Sequence, residues 1–159
     1  MKNSIIIRGP LGVGKSMVAK HLADVLRGCY ISVDAILEKH QLDKDEGGIP
    51  VENFIKANSF ILELSKEADC DGGAVIDGNF YYQQQIDNLR KKFGGNVKIF
   101  SLTASLETCL QRDAGRSKVY GEDATRAVYG LVSAVKAGIE IDTENKTEDQ
   151  VVGEILSQF

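Results

Sequence analysis

Residues 9–16, Gly-Pro-Leu-Gly-Val-Gly-Lys-Ser, match the phosphate-loop (P-loop) pattern G-x-x-x-x-G-K-[ST] in full. Glycines at these positions let the chain curl, so that backbone N–H groups point inward and can bind the oxygens of a polyphosphate. A helix beginning near Gly14 would direct its positive end at the same anion. Lys15 can reach the β- and γ-phosphates, and the Ser16 hydroxyl can ligate Mg²⁺. We therefore predict that a nucleoside triphosphate is bound by Gly9, Pro10, Leu11, Gly12, Val13, Gly14, Lys15, Ser16 and Met17.

Three aspartates follow apolar runs at points where strands are expected to end. Asp77 comes directly after residues 74–76, and an acid there can hold Mg²⁺ or its waters beside a phosphate loop, although Asp77-Gly78 could also be a simple turn. Asp34 could cap a helix, or it could orient an acceptor hydroxyl and take its proton; we favour the second role, and one carboxylate can do both. For Asp142, in Asp-Thr-Glu-Asn-Lys, a turn is the preferred interpretation.

Two arginines, Arg112 and Arg116, are spaced i, i+4 in a basic segment and lie on one side of the chain if it is helical. Arginines also collect at solvated helix ends, which is the alternative interpretation. Beside a phosphate loop we favour a lid, about residues 112–126, whose arginines stabilise the charge on a transferring γ-phosphate. Arg126 is a weaker candidate, and Tyr120-Gly121 offers a flexible point.

The hydrophobic pattern alternates between short strand-like runs and longer helical ones, which is typical of a parallel sheet covered on both faces. No internal repeat, low-complexity segment or Pro/Ser-rich linker divides the chain, so we predict one α/β domain over residues 1–159. Strands are predicted at 4–8, 29–33, 74–76, 97–102 and 138–141. Helices are predicted from Met17 to Gly28, at 51–69 as one or two helices, at 82–93, from Leu106, at 124–137, and at 147–158 with Thr147 and Gln150 in capping-box spacing.

The composition is that of an ordinary globular protein, with 43% hydrophobic and 26% charged residues. Nineteen basic against 23 acidic residues give a net charge of −4, which argues against nucleic-acid and membrane-surface binding. Met1-Lys2-Asn3 leads directly into a short apolar run, so we expect no secretory leader and a cytoplasmic location. The three cysteines, Cys29, Cys70 and Cys109, are far apart in sequence, and we expect buried thiols rather than a disulfide or a zinc site.

Together, the phosphate loop, Asp34, the run Val-Ile-Asp-Gly-Asn-Phe and the segment Arg-Asp-Ala-Gly-Arg resemble the P-loop kinase superfamily through nearly the whole chain. The chain is most similar to the small-substrate branch, which includes chloramphenicol phosphotransferase-like, zeta-toxin-like, shikimate and adenylylsulfate kinases. This resemblance implies a three-layer α/β fold with a five-stranded parallel sheet in the order 2-3-1-4-5. It also implies use of ATP and Mg²⁺ and phosphorylation of a hydroxyl. In several such kinases the acid that corresponds to Asp34 contacts the accepting hydroxyl.

The segment expected to bind the acceptor, about residues 35–72, has nine acidic residues, four lysines and no arginine. Nucleoside monophosphate kinases usually carry an arginine soon after the third-strand Asp-Gly, whereas here Asn79-Phe80-Tyr81-Tyr82 follows. Because a phosphorylated acceptor normally requires arginine forks, we expect a neutral or cationic acceptor instead. The residues after the third strand could line its pocket, or Phe80 and one tyrosine could pack in the core.

The function predicted from these residues is that of an ATP-dependent kinase acting on a hydroxyl of a small, non-polyanionic molecule. The sequence leaves its oligomeric state open. Lys15, Asp34, Arg112 and Arg116 are the predicted catalytic residues, and Ser16 and Asp77 the predicted Mg²⁺ residues. One alternative is a nucleoside or nucleotide kinase, and another is a switch that hydrolyses ATP and acts on a protein partner. GTP is disfavoured because no N/TKxD-type guanine motif is evident, and the intact Lys15-Ser16 pair argues against a degenerate, inactive fold.

Overall fold

The computed structural model describes residues 3–44, 46–68 and 70–159, and within these it contains five strands and seven helices. Met1 and Lys2, on which the expectation about a leader rests, lie outside the described residues, as do positions 45 and 69 of the expected acceptor segment. The strands are β1 (Ser4–Arg8), β2 (Cys29–Ser32), β3 (Ala74–Gly78), β4 (Val97–Thr103) and β5 (Ile139–Asp142). The helices are α1 (Lys15–Leu26), α2 (Val33–Lys39), α3 (Val51–Glu67), α4 (Gln83–Lys92), α5 (Leu106–Ala114), α6 (Glu122–Ser133) and α7 (Glu148–Leu156).

All five strands pair in parallel in the order β2-β3-β1-β4-β5, which confirms the predicted sheet. The register places Ile7 and Ser32 on either side of Asp77, and Arg8 beside Ser101. The carboxyl ends of the strands therefore meet at one edge, where ligands bind in open α/β sheets. The residues that follow β1, β2 and β3 are consequently brought together at that edge.

Two hydrophobic clusters cover the two faces of the sheet because alternate strand residues point to opposite sides. Ile5 and Ile7 of β1 belong to the cluster that packs against α1 and α7, whereas Ile6 belongs to the cluster under α2, α3 and α4. Every residue of β1 is buried. This central strand therefore holds the loop that follows it on a rigid base.

Six of the described helices follow predicted segments, although α6 ends at Ser133 rather than at 137, and α2 is an additional helix at Asp34. The strand predicted at 29–33 ends at Ser32, whose hydroxyl accepts a hydrogen bond from the backbone N–H of Ala35 and caps α2. Asp34 is thus the second residue of the helix rather than its cap. The run at 51–69 forms one helix, and α7 has the predicted reciprocal capping box between Thr147 and Gln150.

The expectation that the cysteines are free thiols is wrong for two of them. Cys29 at the start of β2 and Cys70 just before β3 form a disulfide, with their Cα atoms 5.4 Å apart. The two residues are 41 positions apart in sequence, but the parallel β2–β3 pairing places Cys29 opposite Ala74 and thereby brings them together. Cys109 is a buried thiol, and burial raises its pKa.

None of the helices in the described residues is both long and apolar enough to cross a membrane.

Candidate active site

The loop between β1 and α1 forms a cradle whose shape depends on glycine. Gly12 and Gly14 adopt φ values of +80° and +96°, in the left-handed region that side chains disfavour. A Cβ atom at Gly12 would also overlap the backbone of Cys109 in α5, whereas the space beside Gly14 is open. The loop delivers the chain into α1 at Lys15, so the amino end of that helix faces the cradle. This arrangement suits a bound phosphate chain.

Lys15 lies at the first position of α1 and is only 8% exposed. Its ammonium group donates a hydrogen bond to the carbonyl of Pro10 at 3.4 Å. Burial lowers the pKa of this lysine, while the negative charges of Asp77 and Asp34 oppose that shift. Lys15 is therefore a buried basic group within electrostatic range of two carboxylates at the edge of the cradle.

Ser16 and Asp77 are brought into direct contact across the β1–β3 edge. The Ser16 hydroxyl donates to Oδ2 of Asp77 at 2.7 Å, and the Tyr30 hydroxyl donates to the same oxygen at 2.6 Å. Asp77 is 5% exposed, and its other oxygen, Oδ1, is buried with no hydrogen-bond partner among the described residues. A carboxylate oxygen left free beside a hydroxyl matches the oxygen ligands that Mg²⁺ prefers, so these residues fit the predicted metal.

Tyr30 is a site residue that the sequence analysis missed. It lies on β2, and burial together with its hydrogen bond to Asp77 raises its pKa, so the hydroxyl is a donor at neutral pH. The only signal in the sequence is its place in a short strand two residues before Ser32. Without the strand register, that position does not reveal a partner 47 residues away.

Asp34 lies near the start of α2, at the carboxyl edge of the sheet. Its side chain is accessible to solvent, yet nearby protein raises its pKa by desolvation, with the positive charge of Lys15 opposing the shift. Asp77, Arg116 and Lys118 are also within electrostatic range of it. Lys15, Asp34 and Asp77 therefore lie within electrostatic range of one another, beside the cleft that Lys15 and Arg116 line.

The two lid arginines have different environments. The Arg112 guanidinium donates to the carbonyl of Val13 at 3.1 Å, and to the hydroxyl and the carbonyl of Thr143 at 3.0 and 3.2 Å. Arg116 is exposed and lies over the ring of Tyr120, 5.2 Å from its centre. Arg112 thus fixes the loop after β5 against the phosphate loop, whereas Arg116 borders the open cleft.

Two adjoining cavities of about 230 and 220 Å³ lie beside the phosphate loop. Gly14, Met17 and Arg112 line both of them; Lys15 and Arg116 complete the first, and Thr143 and Lys146 contribute to the second. Met17, in the first turn of α1, is 64% exposed, so its side chain faces the cavities and not the core. A flexible apolar side chain at the mouth of the cavities is suited to contact with a flat base.

The weaker candidate Arg126, the turn residue Asp142 and the two histidines of the chain have their contacts outside this centre. Arg126 pairs with Glu122 on the exposed side of α6, and His21 contacts Glu148 at 2.8 Å. Asp142 accepts a hydrogen bond from the backbone N–H of Glu144, which agrees with the preferred turn interpretation. His40 stacks on Phe60, 3.6 Å between ring centres.

The loop of residues 79–82 between β3 and α4, called the acceptor loop below, combines core and cleft residues. Phe80 is buried, and the rings of Tyr81 and Tyr82 pack 5.5 and 5.7 Å from that of Phe54. The negative charge of Asp34 contributes to a raised pKa of Tyr81, about 12, after the larger effect of burial and that of Tyr82. Asn79 Oδ1 is buried with no partner among the described residues. Phe80 is thus a core residue, and Tyr81 lies within electrostatic range of the cleft.

Five parallel strands in this order, with a glycine-rich loop between the first strand and the first helix, define the P-loop kinase fold. A family model described as an AAA domain, AAA_33, matches residues 5–138. The match covers most of the chain, so the chain belongs to this family, a P-loop kinase domain. The predicted relationship to P-loop kinases is confirmed.

Individual proteins are similar to this chain at low sequence identity, and the solved structures among them share its fold. An adenylate kinase from Thermosipho melanesiensis is 28% identical over 107 residues, which are 60% of this chain and 50% of that protein. The chain thus spans about half the length of this curated relative. A gluconokinase from Sinorhizobium meliloti superposes with a TM-score of 0.77 at 18% identity, over 98% of this chain and 90% of that one. A shikimate kinase from Acinetobacter baumannii, in complex with shikimate, gives a TM-score of 0.67 at 22% identity, over 99% and 93%.

Proposed function

We propose that this protein is an ATP-dependent kinase that transfers the γ-phosphate to a hydroxyl of a small, non-polyanionic molecule. The observation that carries the proposal is the grouping of Lys15, Ser16 and Asp77 at the phosphate loop, with an exposed carboxylate, Asp34, within electrostatic range of Lys15. An accessible carboxylate in this position is suited to contact with an acceptor hydroxyl. The whole chain, residues 1–159, would act as one such domain.

The phosphate loop would hold the nucleotide through its inward N–H groups and the amino end of α1. Lys15 would contact the β- and γ-phosphates, where burial strengthens its attraction for the anion relative to that in water. Met17 and the neighbouring cavity would accept the base. Arg112, already fixed to Val13 and Thr143, would define the wall between the phosphates and the base.

Ser16 and Asp77 are the residues that would hold Mg²⁺, directly or through its waters, and Tyr30 would orient the Asp77 carboxylate. The ion, when bound, neutralises charge on the phosphate oxygens. Asp77 is suited to this because one oxygen already has two donors while the other has none among the described residues.

Asp34 would accept the proton of the attacking hydroxyl. The hydroxyl oxygen forms a bond to the γ-phosphorus, and the bond from that phosphorus to the β–γ bridging oxygen breaks, leaving ADP with the electron pair. The proton passes to the carboxylate, for which a raised pKa makes Asp34 a stronger base than an ordinary aspartate. Arg116 would stabilise the developing charge from the lid side.

The small-molecule class of the acceptor is supported by charge. The described part of residues 35–72 contains no arginine, and the acceptor loop supplies an amide, aromatic rings and phenol hydroxyls. Among structural neighbours, a gluconokinase and a shikimate kinase bear names of small hydroxylated monocarboxylates, which agrees with a small, non-polyanionic acceptor but not with a neutral or cationic one. The adenylate kinase similarity favours a nucleotide acceptor instead, but that relative is matched over only half its length.

The test is transfer of labelled γ-phosphate from ATP with Mg²⁺ into a pooled metabolite extract. We expect the wild-type protein to form a labelled small molecule, and Lys15→Ala and Asp34→Asn variants to lose it. Isolation of that product identifies the acceptor, and a labelled nucleotide would favour the nucleotide-kinase alternative. Label found only as free phosphate in every extract, with Asp34→Asn hydrolysing ATP normally, would overturn the proposal in favour of an ATP-hydrolysing switch.

Replacing Tyr30 by phenylalanine should weaken Mg²⁺ binding. Loss of the hydroxyl removes one of the two donors that orient the Asp77 carboxylate, and such outer contacts are typically worth about 10–100-fold in metal affinity. Mg²⁺ titration of fluorescent ATP-analogue binding measures the effect. Tyr129→Phe is the matched control, because its hydroxyl donates to the Ala104 carbonyl instead. Equal Mg²⁺ dependence in both variants would contradict the role assigned to Tyr30.

A further inference from the structure

Arg8, the last residue of β1, is a buried cation that the proposed chemistry does not use. It is 2% exposed, and the burial lowers its pKa against the opposing charge of Glu140. All five guanidinium N–H groups donate hydrogen bonds, each to a neutral oxygen. Burying a charge without a close counter-ion destabilises the fold, so packing alone does not account for an arginine at this position. Its five contacts connect separate elements of the fold.

One side of the guanidinium holds the acceptor loop. Nε and Nη2 both donate to the carbonyl of Phe80, at 3.3 and 3.1 Å. Phe80 has a φ of +49°, an unusual conformation for a bulky residue, and its ring is 1% exposed in the core. The ring is thus fixed by core packing and the carbonyl by Arg8. This fixes the direction in which the chain leaves Asn79 and enters Tyr81, the acceptor-loop residue within electrostatic range of Asp34.

The other side of the guanidinium holds the end of α6. Nη2 donates to the carbonyl of Val132 at 3.0 Å, and Nη1 donates to the carbonyl of Val135 and to the hydroxyl of Ser101, both at 2.9 Å. At its other end, α6 continues directly from the lid. There the buried Asp113 carboxylate accepts the backbone N–H groups of Tyr120 and Gly121, at 3.2 and 3.0 Å. One helix, α6, therefore connects the lid to the contacts of Arg8.

From this arrangement we infer that Arg8 is a positioning residue that couples α6 and the lid to the acceptor loop, so that nucleotide binding orders residues 79–82. The inference rests on the proposed function for the roles of the lid and the acceptor loop. A planar fork is required because the Phe80, Val132 and Val135 carbonyls must be bound at once. A lysine keeps the charge but cannot span all three.

Hydrogen exchange with and without Mg²⁺ and a non-hydrolysable ATP analogue tests the coupling. In the wild-type protein, nucleotide should slow exchange across residues 80–85 by about fivefold or more, a typical coupling between sites. In Arg8→Lys this nucleotide-dependent change should fall below about twofold, while affinity for the analogue is nearly retained. Arg90→Lys, at an exposed position of α4, is the matched control and should behave as wild type. A merely structural role would change basal exchange but not its response to nucleotide.

Absence of a nucleotide effect at residues 80–85 in the wild-type protein would overturn the inference without any variant. Persistence of the full effect in Arg8→Lys would do the same. If Arg8→Lys fails to melt cooperatively, Arg8→Met, which buries no charge, takes its place; if neither variant folds, Arg8 serves stability and the inference fails. None of these measurements requires an acceptor or turnover. A negative transfer assay would therefore count against the proposed kinase activity, whereas the hydrogen-exchange measurement would still decide whether Arg8 couples the lid to the acceptor loop.

Discussion

Replacing Lys15 by alanine is expected to lower the rate of phosphoryl transfer by about 10²–10³-fold, the typical loss when one donor to a developing charge is removed. Lys15 is the buried basic group at the edge of the phosphate cradle. In the alanine variant water would replace its ammonium group, and water cannot provide the same electrostatic stabilisation of a phosphate. Affinity for ATP should fall as well, since the lysine attracts the phosphates before and during transfer. Initial rates with the acceptor isolated from the extract, together with analogue binding, separate the two effects.

Lys91→Ala, at an exposed position of α4, is the control for loss of a lysine in general. Lys15→Arg retains the charge but places it on a larger, planar group, and we expect it to remain far below wild-type activity. Cooperative melting of each variant establishes that the fold is intact. Wild-type rates in Lys15→Ala would show that the phosphate loop does not bind the transferred group.

Replacing Asp34 by asparagine should lower transfer to the acceptor by about 10²–10⁴-fold, the usual range for a general base, while leaving affinity for ATP close to that of the wild type. The two effects should separate because the proposed function assigns Asp34 to the acceptor, and the phosphate loop and Asp77 to the nucleotide and its metal. The measurement is kcat for the acceptor alongside analogue binding. Asp24→Asn, exposed on α1, is the matched control. Loss of nucleotide binding equal to the loss of transfer would contradict the assignment.

The same carboxylate predicts a pH dependence. Asp34 must be ionised to take a proton, and desolvation raises its pKa. Activity should therefore increase as the pH rises through that elevated pKa and should be lost at pH values below it. The acid limb should therefore lie at higher pH than an ordinary aspartate would give. In Asp34→Asn the residual activity should lose this limb. If the acid limb of the pH–activity profile stays at the same pH in Asp34→Asn, that limb reports the ionisation of another group.

Much of the fold could be predicted because local pattern and global structure agree. The apolar run before the phosphate loop has to be a buried strand, and Gly28 and the Gly94-Gly95 pair separate helices from strands. At Asp34 the pattern was ambiguous, since Ser32 and Asp34 are both good caps and only the end of β2 decides between them. Boundaries of this kind depend on pairing with β3, which the local sequence does not encode.

The parts of the site missed by sequence analysis are the long-range ones. Tyr30 meets Asp77 through the register of β2 on β3, and Arg8 meets Phe80 across 72 residues. A motif search finds residues that are adjacent in the chain, such as Lys15 and Ser16. Contacts made by one buried side chain to backbone carbonyls leave no residue-type signal at the partner position. For that reason Val132 and Val135 could not have been recognised.

The disulfide between Cys29 and Cys70 makes the chain between them a covalent ring, which contains Asp34, α2 and α3. A single cut at the exposed residues 46–48 would thus leave the two fragments joined until the link is reduced. The ring also fixes where the chain enters β2 and where it returns to β3. Exposed turns within it, such as residues 46–48, can be lengthened at little entropic cost. The strands that carry Asp77 and the phosphate loop lie outside the ring and keep their pairing when its length changes.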